Sequence, residues 1–208
     1  MCNNTIENKL NEISGEIINY VNNYDNNEPQ GLYDGDAGLF LFLCKYLEYN
    51  DKFIEQTQKF SERLVENLLE RTKSHTFCSG YAGILFLFKF LDQKDIITID
   101  ISKISIIEDY LFKKFKSDLS GNDYDFLHGA LGVAFYAIKY RNEKFVNIMI
   151  EYLYENVKIC DNGFYMWYAR NSTECNISLS HGLSSIICFL SVCLQTNLDK
   201  CLRSVLVL

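Results

Sequence analysis

Apolar residues follow two alternating patterns along this chain. In four stretches they recur every three or four residues with polar residues between them: Ile6 to Val21, Phe53 to Leu68, Ile104 to Phe115 and, more weakly, Phe145 to Asn156. This spacing predicts helices that bury one face. Each is followed by a stretch that is apolar nearly all round and must be covered on most sides: residues 37–47, 82–91, 131–140 and 183–194. The alternation predicts an all-α fold in two concentric layers, an α/α toroid or the part of one that four helical hairpins make.

A short glycine motif precedes each of the strongly apolar stretches. The four copies begin at Asp34-Gly35, Ser79-Gly80, His128-Gly129 and His181-Gly182. They lie about 50 residues apart, a period typical of stacked or ring-like repeats. Glycine permits a positive φ and a close backbone approach, and we expect both where a helical hairpin reverses. The motifs therefore predict four similar loops on one rim, although simple tight turns also explain the first two copies.

Composition and charge exclude several classes of function. The chain has 208 residues and a net charge of −7, and no basic cluster is interleaved with aromatic residues. This argues against nucleic acid or an anionic membrane as a partner. The N-terminus lacks the order of a signal peptide, and the longest apolar runs are too short to span a bilayer. We therefore expect a cytoplasmic protein with no membrane span, whose eight scattered cysteines are free thiols without a structural zinc site.

One loop before the fourth glycine motif has a sequence typical of a small β-hairpin. Asp161-Asn162-Gly163 is a turn sequence, and Phe164 to Tyr168 would form one arm. This arm carries the only tryptophan, Trp167. Long aromatic loops often line a cleft, but packing against a neighbouring helix is the expected role here.

Histidines supply the first candidates for chemistry. His75 lies in a polar stretch and is expected to be an exposed loop residue. His128 and His181 each directly precede the glycine that begins a strongly apolar helix. The helix dipole disfavours a protonated imidazole there, and a neutral imidazole can donate a hydrogen bond to a developing oxyanion. A structural histidine remains the alternative for His181.

Asp125 is the other candidate. It lies four residues before Gly129, and Gly31, Thr76 and Ser178 hold the same place in the other copies. A carboxylate within an apolar stretch, found in only one of four repeats, indicates a functional position. A cap for the coming helix explains it equally well.

The four motifs together resemble the lanthionine synthetase C-like cyclases. The matching segments are Gly31 to Gly38, Ser79 to Gly83, Tyr124 to Gly132 and Asn176 to Gly182. The resemblance implies a double ring of seven inner and seven outer helices that cyclises lanthipeptide precursors. It also implies a zinc ion that binds a substrate cysteine thiol, which then adds to dehydroalanine or dehydrobutyrine to give a thioether. Asp125 and His181 receive acid/base and enolate-stabilising roles by the same resemblance. The implied partners are a lanthipeptide precursor peptide, together with a dehydratase or a second chain that completes the ring.

The sequence also departs from the family pattern. The family's zinc ligands are two cysteines and a histidine from later repeats, and no Cys-His pair occurs here. The pattern is not matched by Cys188, Cys193 or Cys201. In the fourth motif, Ser185 stands where the family usually has glycine. His128 occupies a position that varies in the family, and we assign it no role. We therefore expect one incomplete toroid domain over residues 1–208, with about four of seven repeats and without the C-terminal ones.

Two further expectations follow from the departures. The chain alone should hold no zinc and show no cyclase turnover. The closing Val205-Leu206-Val207-Leu208 reads as a core segment cut short, which favours a fragment of a longer reading frame over a chain completed by a second one or a decaying gene product.

Two other functions compete with the cyclase hypothesis. One is a peptide- or protein-binding module that keeps the fold without catalysis. The other is a glycoside hydrolase or terpenoid cyclase built on an α/α toroid. The latter needs opposed catalytic acids or Asp-rich clusters, whereas Asp123 and Asp125 are neighbours in one loop.

Overall fold

A computed structural model describes residues 2–23, 29–92, 104–161, 163–168, 172 and 174–196. The helices are α1 (Cys2–Asn22), α2 (Asp36–Leu47), α3 (Ile54–Arg71), α4 (Tyr81–Asp92), α5 (Ile104–Ser120), α6 (Ala130–Lys139), α7 (Glu143–Asn156) and α8 (Leu183–Gln195). Two short strands, β1 (Lys158–Ile159) and β2 (Tyr165–Met166), lie between α7 and α8. None of the described helices is both long enough and apolar enough to cross a bilayer. The predicted core segment Val205–Leu208 and Cys201 lie outside the described residues.

The helices form two layers, as the alternating apolar patterns predict. The inner helices α2, α4, α6 and α8 pack against one another in chain order. The outer helices α1, α3, α5 and α7 each pack against one or two inner helices. Most of α6 is buried, whereas α3 buries only one stripe, which includes Phe60, Leu64 and Leu68. This is the hairpin-by-hairpin arrangement of an α/α toroid, so the all-α prediction is confirmed.

Each inner helix is entered through a loop of the same design. These rim loops are residues 29–35, 74–80, 123–129 and 176–182, and we call them the first to fourth rim loop. In each, the first helical residue donates its backbone N–H to the carbonyl at the start of the loop. The pairs are Asp36 to Pro29, Tyr81 to Ser74 and Ala130 to Asp123, each at 3.1 Å, and Leu183 to Asn176 at 2.7 Å. The repeated bond shows that the four glycine motifs have one common structure.

The motif glycines are needed because neighbouring atoms leave little room for a side chain, and not because the backbone is left-handed. Gly35, Gly129 and Gly182 have φ values of −160°, −125° and −155°, which any residue adopts. Among the described glycines, only Gly163 has a positive φ, of +81°. The expectation of a positive φ in the motifs is therefore wrong. The expected close approach is present, since a Cβ on Gly129 would lie 2.8 Å from the Asp123 carbonyl oxygen.

Neighbouring rim loops are joined directly to each other. Tyr33 of the first loop donates its N–H to the Cys78 carbonyl at 3.0 Å, and Cys78 donates its own N–H to the Leu127 carbonyl at 2.9 Å. Phe77 of the second loop also lies against Gly132 of α6, where an added Cβ would be 2.7 Å from the Phe77 Cβ. The loops consequently follow one another along the rim in chain order.

The predicted hairpin before the fourth rim loop is present. Strands β1 and β2 are antiparallel, with Lys158 opposite Met166 and Ile159 opposite Tyr165. Asn162 of the predicted turn lies outside the described residues. Trp167 follows β2, is partly buried against the core, and donates its indole N–H to the Leu153 carbonyl of α7 at 2.7 Å. Of the two roles considered for this tryptophan, packing against a helix is the one observed.

Candidate functional site

The third and fourth rim loops bring Asp125 and His181 into contact. Oδ2 of Asp125 lies 2.5 Å from Nδ1 of His181. A carboxylate accepts hydrogen bonds, so the Nδ1 of His181 carries the hydrogen of this contact and Nε2 is the ring nitrogen that remains available. The structure therefore joins the two residues that the sequence analysis selected, although 56 positions separate them along the chain.

The other oxygen of Asp125 shapes its own loop. Oδ1 accepts the backbone N–H of His128 at 2.8 Å. The same register makes the same bond elsewhere, since Thr76 accepts from the Ser79 N–H at 3.2 Å and Ser178 from the His181 N–H at 3.1 Å. Asp125 thus closes the turn that leads into α6, and its second oxygen adds a contact with the next loop. Asp125 therefore caps the turn and not the helix itself, and its functional role stays a prediction.

The Asp125–His181 pair is open to solvent on one side. The side chain of His181 is 43% exposed and that of Asp125 is 20% exposed. The neighbouring Tyr124 is buried, and burial raises its pKa to about 12, with smaller contributions from Cys175, Tyr152 and Asp125. Tyr124 therefore stays protonated at neutral pH. Solvent can consequently reach the Asp125–His181 pair, whereas the Tyr124 side chain is buried.

A second imidazole lies beside the pair. The ring of His128 is stacked on that of His181, with centroids 5.9 Å apart and planes inclined by 16°. His128 is exposed, and no described residue forms a hydrogen bond with its ring. From the sequence alone, no role is assigned to His128. The signal that identifies it is its register, because it precedes Gly129 just as His181 precedes Gly182.

His75 does not behave as expected. Its Nε2 lies 2.7 Å from Oδ2 of Asp118 on α5, and the two side chains are only 15% and 16% exposed. The prediction of an exposed loop residue is wrong because the second rim loop packs beside the end of α5. His75 is thus a structural histidine, paired away from Asp125 and His181.

The described residues do not offer a metal site. Among them, no group of three or more His, Cys, Asp or Glu side chains is placed to hold a metal ion. Three candidate donors already have other partners: Cys160 Sγ lies 3.6 Å from the Tyr168 hydroxyl, Cys175 Sγ lies 3.9 Å from the Asn176 carbonyl oxygen, and His181 Nδ1 contacts Asp125. This donor set does not fit the zinc ion that the family resemblance implies, and no step proposed below passes through a metal.

None of the six cysteines with described side chains forms a disulfide: Cys44, Cys78, Cys160, Cys175, Cys188 and Cys193. This agrees with the expectation of thiols for these six. The fourth motif's unusual Ser185 is buried, and its hydroxyl donates to the Gly182 carbonyl at 2.6 Å. Serine therefore fits the position usually held by glycine, because its only polar group bonds within its own turn.

Comparison with known proteins gives two positive findings. Residues 26–206 match the family model described as "Lanthionine synthetase C-like protein". Among solved structures, that of a nisin cyclase is similar, with a TM-score of 0.64 and 18% sequence identity. The match covers 92% of this chain and 53% of that one, so the chain spans about half the length of the structure it resembles. At this identity the likeness shows the fold, an α/α toroid. No curated protein sequence gives a significant match.

Proposed function

Because the chain belongs to the lanthionine synthetase C-like family, we propose that it acts in thioether formation in lanthipeptide precursors and that Asp125 and His181 are its proton-transferring residues. In this reaction a cysteine thiol adds to the β-carbon of dehydroalanine or dehydrobutyrine. The enolate that results must then take up a proton at its α-carbon, which calls for a general acid. The observation that supports the proposal is the 2.5 Å contact between the Asp125 carboxylate and Nδ1 of His181.

The geometry suits His181 to the role of general acid. Asp125 fixes the orientation of the imidazole through Nδ1 and leaves Nε2 to exchange the proton with substrate. Asp125 is itself held by the His128 backbone N–H. A side chain fixed at both oxygens loses little further freedom when substrate binds, and this favours the correct alignment of the proton donor.

Activation of the thiol is the part of the reaction that the described residues do not supply. A cysteine thiol has a pKa of about 8.5, so only a few per cent is thiolate at pH 7. The resemblance assigns this activation to zinc, which the described donor set does not fit. We therefore propose that the chain alone does not turn over cysteine peptides. A dehydratase would supply the unsaturated substrate, and groups outside the described residues would activate the thiol.

The proposal also includes a cytoplasmic site of action. The six described cysteine side chains form no disulfide with one another. Free thiols persist in the reducing cytoplasm and tend to form disulfides in oxidising compartments.

A substrate with a preformed thiolate tests the proton-transfer role without thiol activation. The assay follows addition of an arylthiol, which is ionised at neutral pH, to a peptide that contains one dehydroalanine, in D₂O. The chain should accelerate addition and place deuterium on one face of the α-carbon. His181→Gln and Asp125→Asn should lose both effects. The control is Asp34→Asn, which changes the residue at the His181 register in the first rim loop.

Two results would contradict the proposal. One is a wild-type rate equal to that of buffer, and the other is an accelerated rate that His181→Gln leaves unchanged. Binding of the peptide without acceleration, measured by fluorescence anisotropy, would instead support the non-catalytic binding module.

A further inference from the structure

His128 has the features of a second catalytic group at this site. We propose that its imidazole donates a hydrogen bond to the carbonyl oxygen of the dehydroamino acid while His181 protonates the α-carbon. The inference rests on the proposed function and adds a residue to it. It starts from an exposed imidazole, 5.9 Å from that of His181, whose ring has no hydrogen-bond partner among the described residues.

The chemistry requires two hydrogen donors at adjacent positions of the substrate. As the sulfur–Cβ bond forms, the Cα–Cβ π electrons move into the Cα–carbonyl bond and negative charge collects on the carbonyl oxygen. The α-carbon of the enolate then takes the Nε2 proton of a His181 imidazolium, the carbonyl re-forms, and the neutral imidazole that is left regains a proton from water. His128 keeps its proton throughout and stabilises the oxyanion. Preorganised donors of this kind contribute strongly to catalysis because they act where charge develops.

The spacing of the two rings fits this division of roles. The α-carbon and the carbonyl oxygen of an amide are about 2.4 Å apart, from standard bond lengths. Each imidazole N–H reaches an acceptor over about 2.9 Å. The two rings, whose centroids are 5.9 Å apart, are therefore close enough for one dehydroamino acid to lie within reach of both, and a turn of the exposed His128 side chain would bring its N–H to the carbonyl oxygen.

A single carboxylate contacts both histidines. Oδ1 of Asp125 holds the backbone of His128, and Oδ2 holds the ring of His181. The equivalent positions in the first and second rim loops are occupied by Asp34 and Ser79. The pair of stacked imidazoles is thus specific to the two loops that Asp125 connects.

A merely structural role for His128 would be to support the His181 ring by stacking. Two substitutions separate this role from donation: His128→Phe keeps a flat ring but has no donor, and His128→Gln keeps a donor but has no ring. In the arylthiol assay, His128→Phe should lower kcat about 100-fold with little change in KM, the size of effect seen when one oxyanion donor is lost. His128→Gln should stay within about tenfold of wild type. His128→Asn provides a second donor variant, and thermal melting by circular dichroism checks that each variant is folded.

The possible outcomes distinguish this inference from the proposed function. Equal kcat for His128→Phe and wild type, or a His128→Phe rate at or above that of His128→Gln, would overturn the role of His128 alone. If His181→Gln abolishes a wild-type acceleration at the same time, the proposed function still stands. No acceleration by the wild-type chain would refute both.

Discussion

Replacing Asp125 with serine and with alanine separates its two tasks. Serine occupies the same register in the fourth rim loop, where Ser178 accepts the N–H of His181 at 3.1 Å, and Thr76 does the same in the second loop. Asp125→Ser should therefore keep the turn bond to the His128 N–H and lose only the contact with the His181 ring. Asp125→Ala should lose both.

The expected changes in stability follow from the two contacts. The bond to the His128 N–H resembles a helix-cap bond, and losing it costs about 1 kcal/mol. The contact with His181 joins partly exposed side chains, 20% and 43% exposed, so solvent screening limits its contribution to about 0.2–1 kcal/mol. Asp125→Ser should thus melt about 2–4 °C above Asp125→Ala, since 1 kcal/mol shifts the Tm of a domain of this size by about that amount.

Activity should not follow stability in this pair. Both variants lack the carboxylate that orients His181, so both should lose the arylthiol addition rate to a similar extent. Thermal melting by circular dichroism and the addition assay, made on the same samples, measure the two effects. Equal Tm values for the two variants would refute the turn-bond argument. Wild-type activity in Asp125→Ser would refute the positioning of His181 by Asp125.

Four further predictions concern packing and burial. Gly132→Ala should lower the free energy of unfolding in urea by about 1–3 kcal/mol, because the new methyl would lie 2.7 Å from the Phe77 Cβ; unchanged stability would contradict the close approach. Trp167→Phe should cost about 1 kcal/mol in the same measurement through loss of the indole N–H bond on α7, and no loss would contradict that role. Burial raises the pKa of the Cys44 thiol from 9.0 to about 12, so iodoacetamide should modify exposed Cys188 well before Cys44, as read by mass spectrometry. Because the folded form keeps that proton, the Cys44 contribution to stability should be complete below pH 9 and be lost as the pH rises from 9 towards 12.

The helical layers could be predicted because each helix carries its own pattern of burial. The strongly apolar stretch predicted at 131–140 became α6, Ala130–Lys139, and the stretch predicted at 82–91 became α4, Tyr81–Asp92. The spacing of apolar residues indicates directly whether a helix is buried on one face or on all sides. The repeated glycine motifs then placed the loops on one rim, and so brought Asp125 and His181 to the same region.

Contacts that depend on neighbouring elements could not be predicted in this way. His75 lies in a polar stretch, yet it is covered because Asp118 of α5 lies beside it. His128 was set aside because its position varies in the family, whereas its stacking on His181 depends on how two loops meet. The glycines were expected to have a positive φ, but Gly129 is required by the nearby Asp123 carbonyl, a contact that no local propensity reveals.

The carboxylate of Asp125 touches two consecutive hairpins at once, and this makes the site sensitive to remote substitutions. A displacement of about 1 Å between reacting groups can cost a large part of a rate. The third hairpin (α5 and α6) and the fourth (α7 and α8) are held in place by the packing of α6 on α8. In this packing the ring centroids of Phe135 and Phe189 lie 5.7 Å apart. Substitutions at this aromatic contact leave every polar group of the site in place. They should still alter the proposed proton transfer, because they change the distance between the third and fourth hairpins. Under the proposed function, selection on activity would act on the spacing of the hairpins as well as on Asp125 and His181.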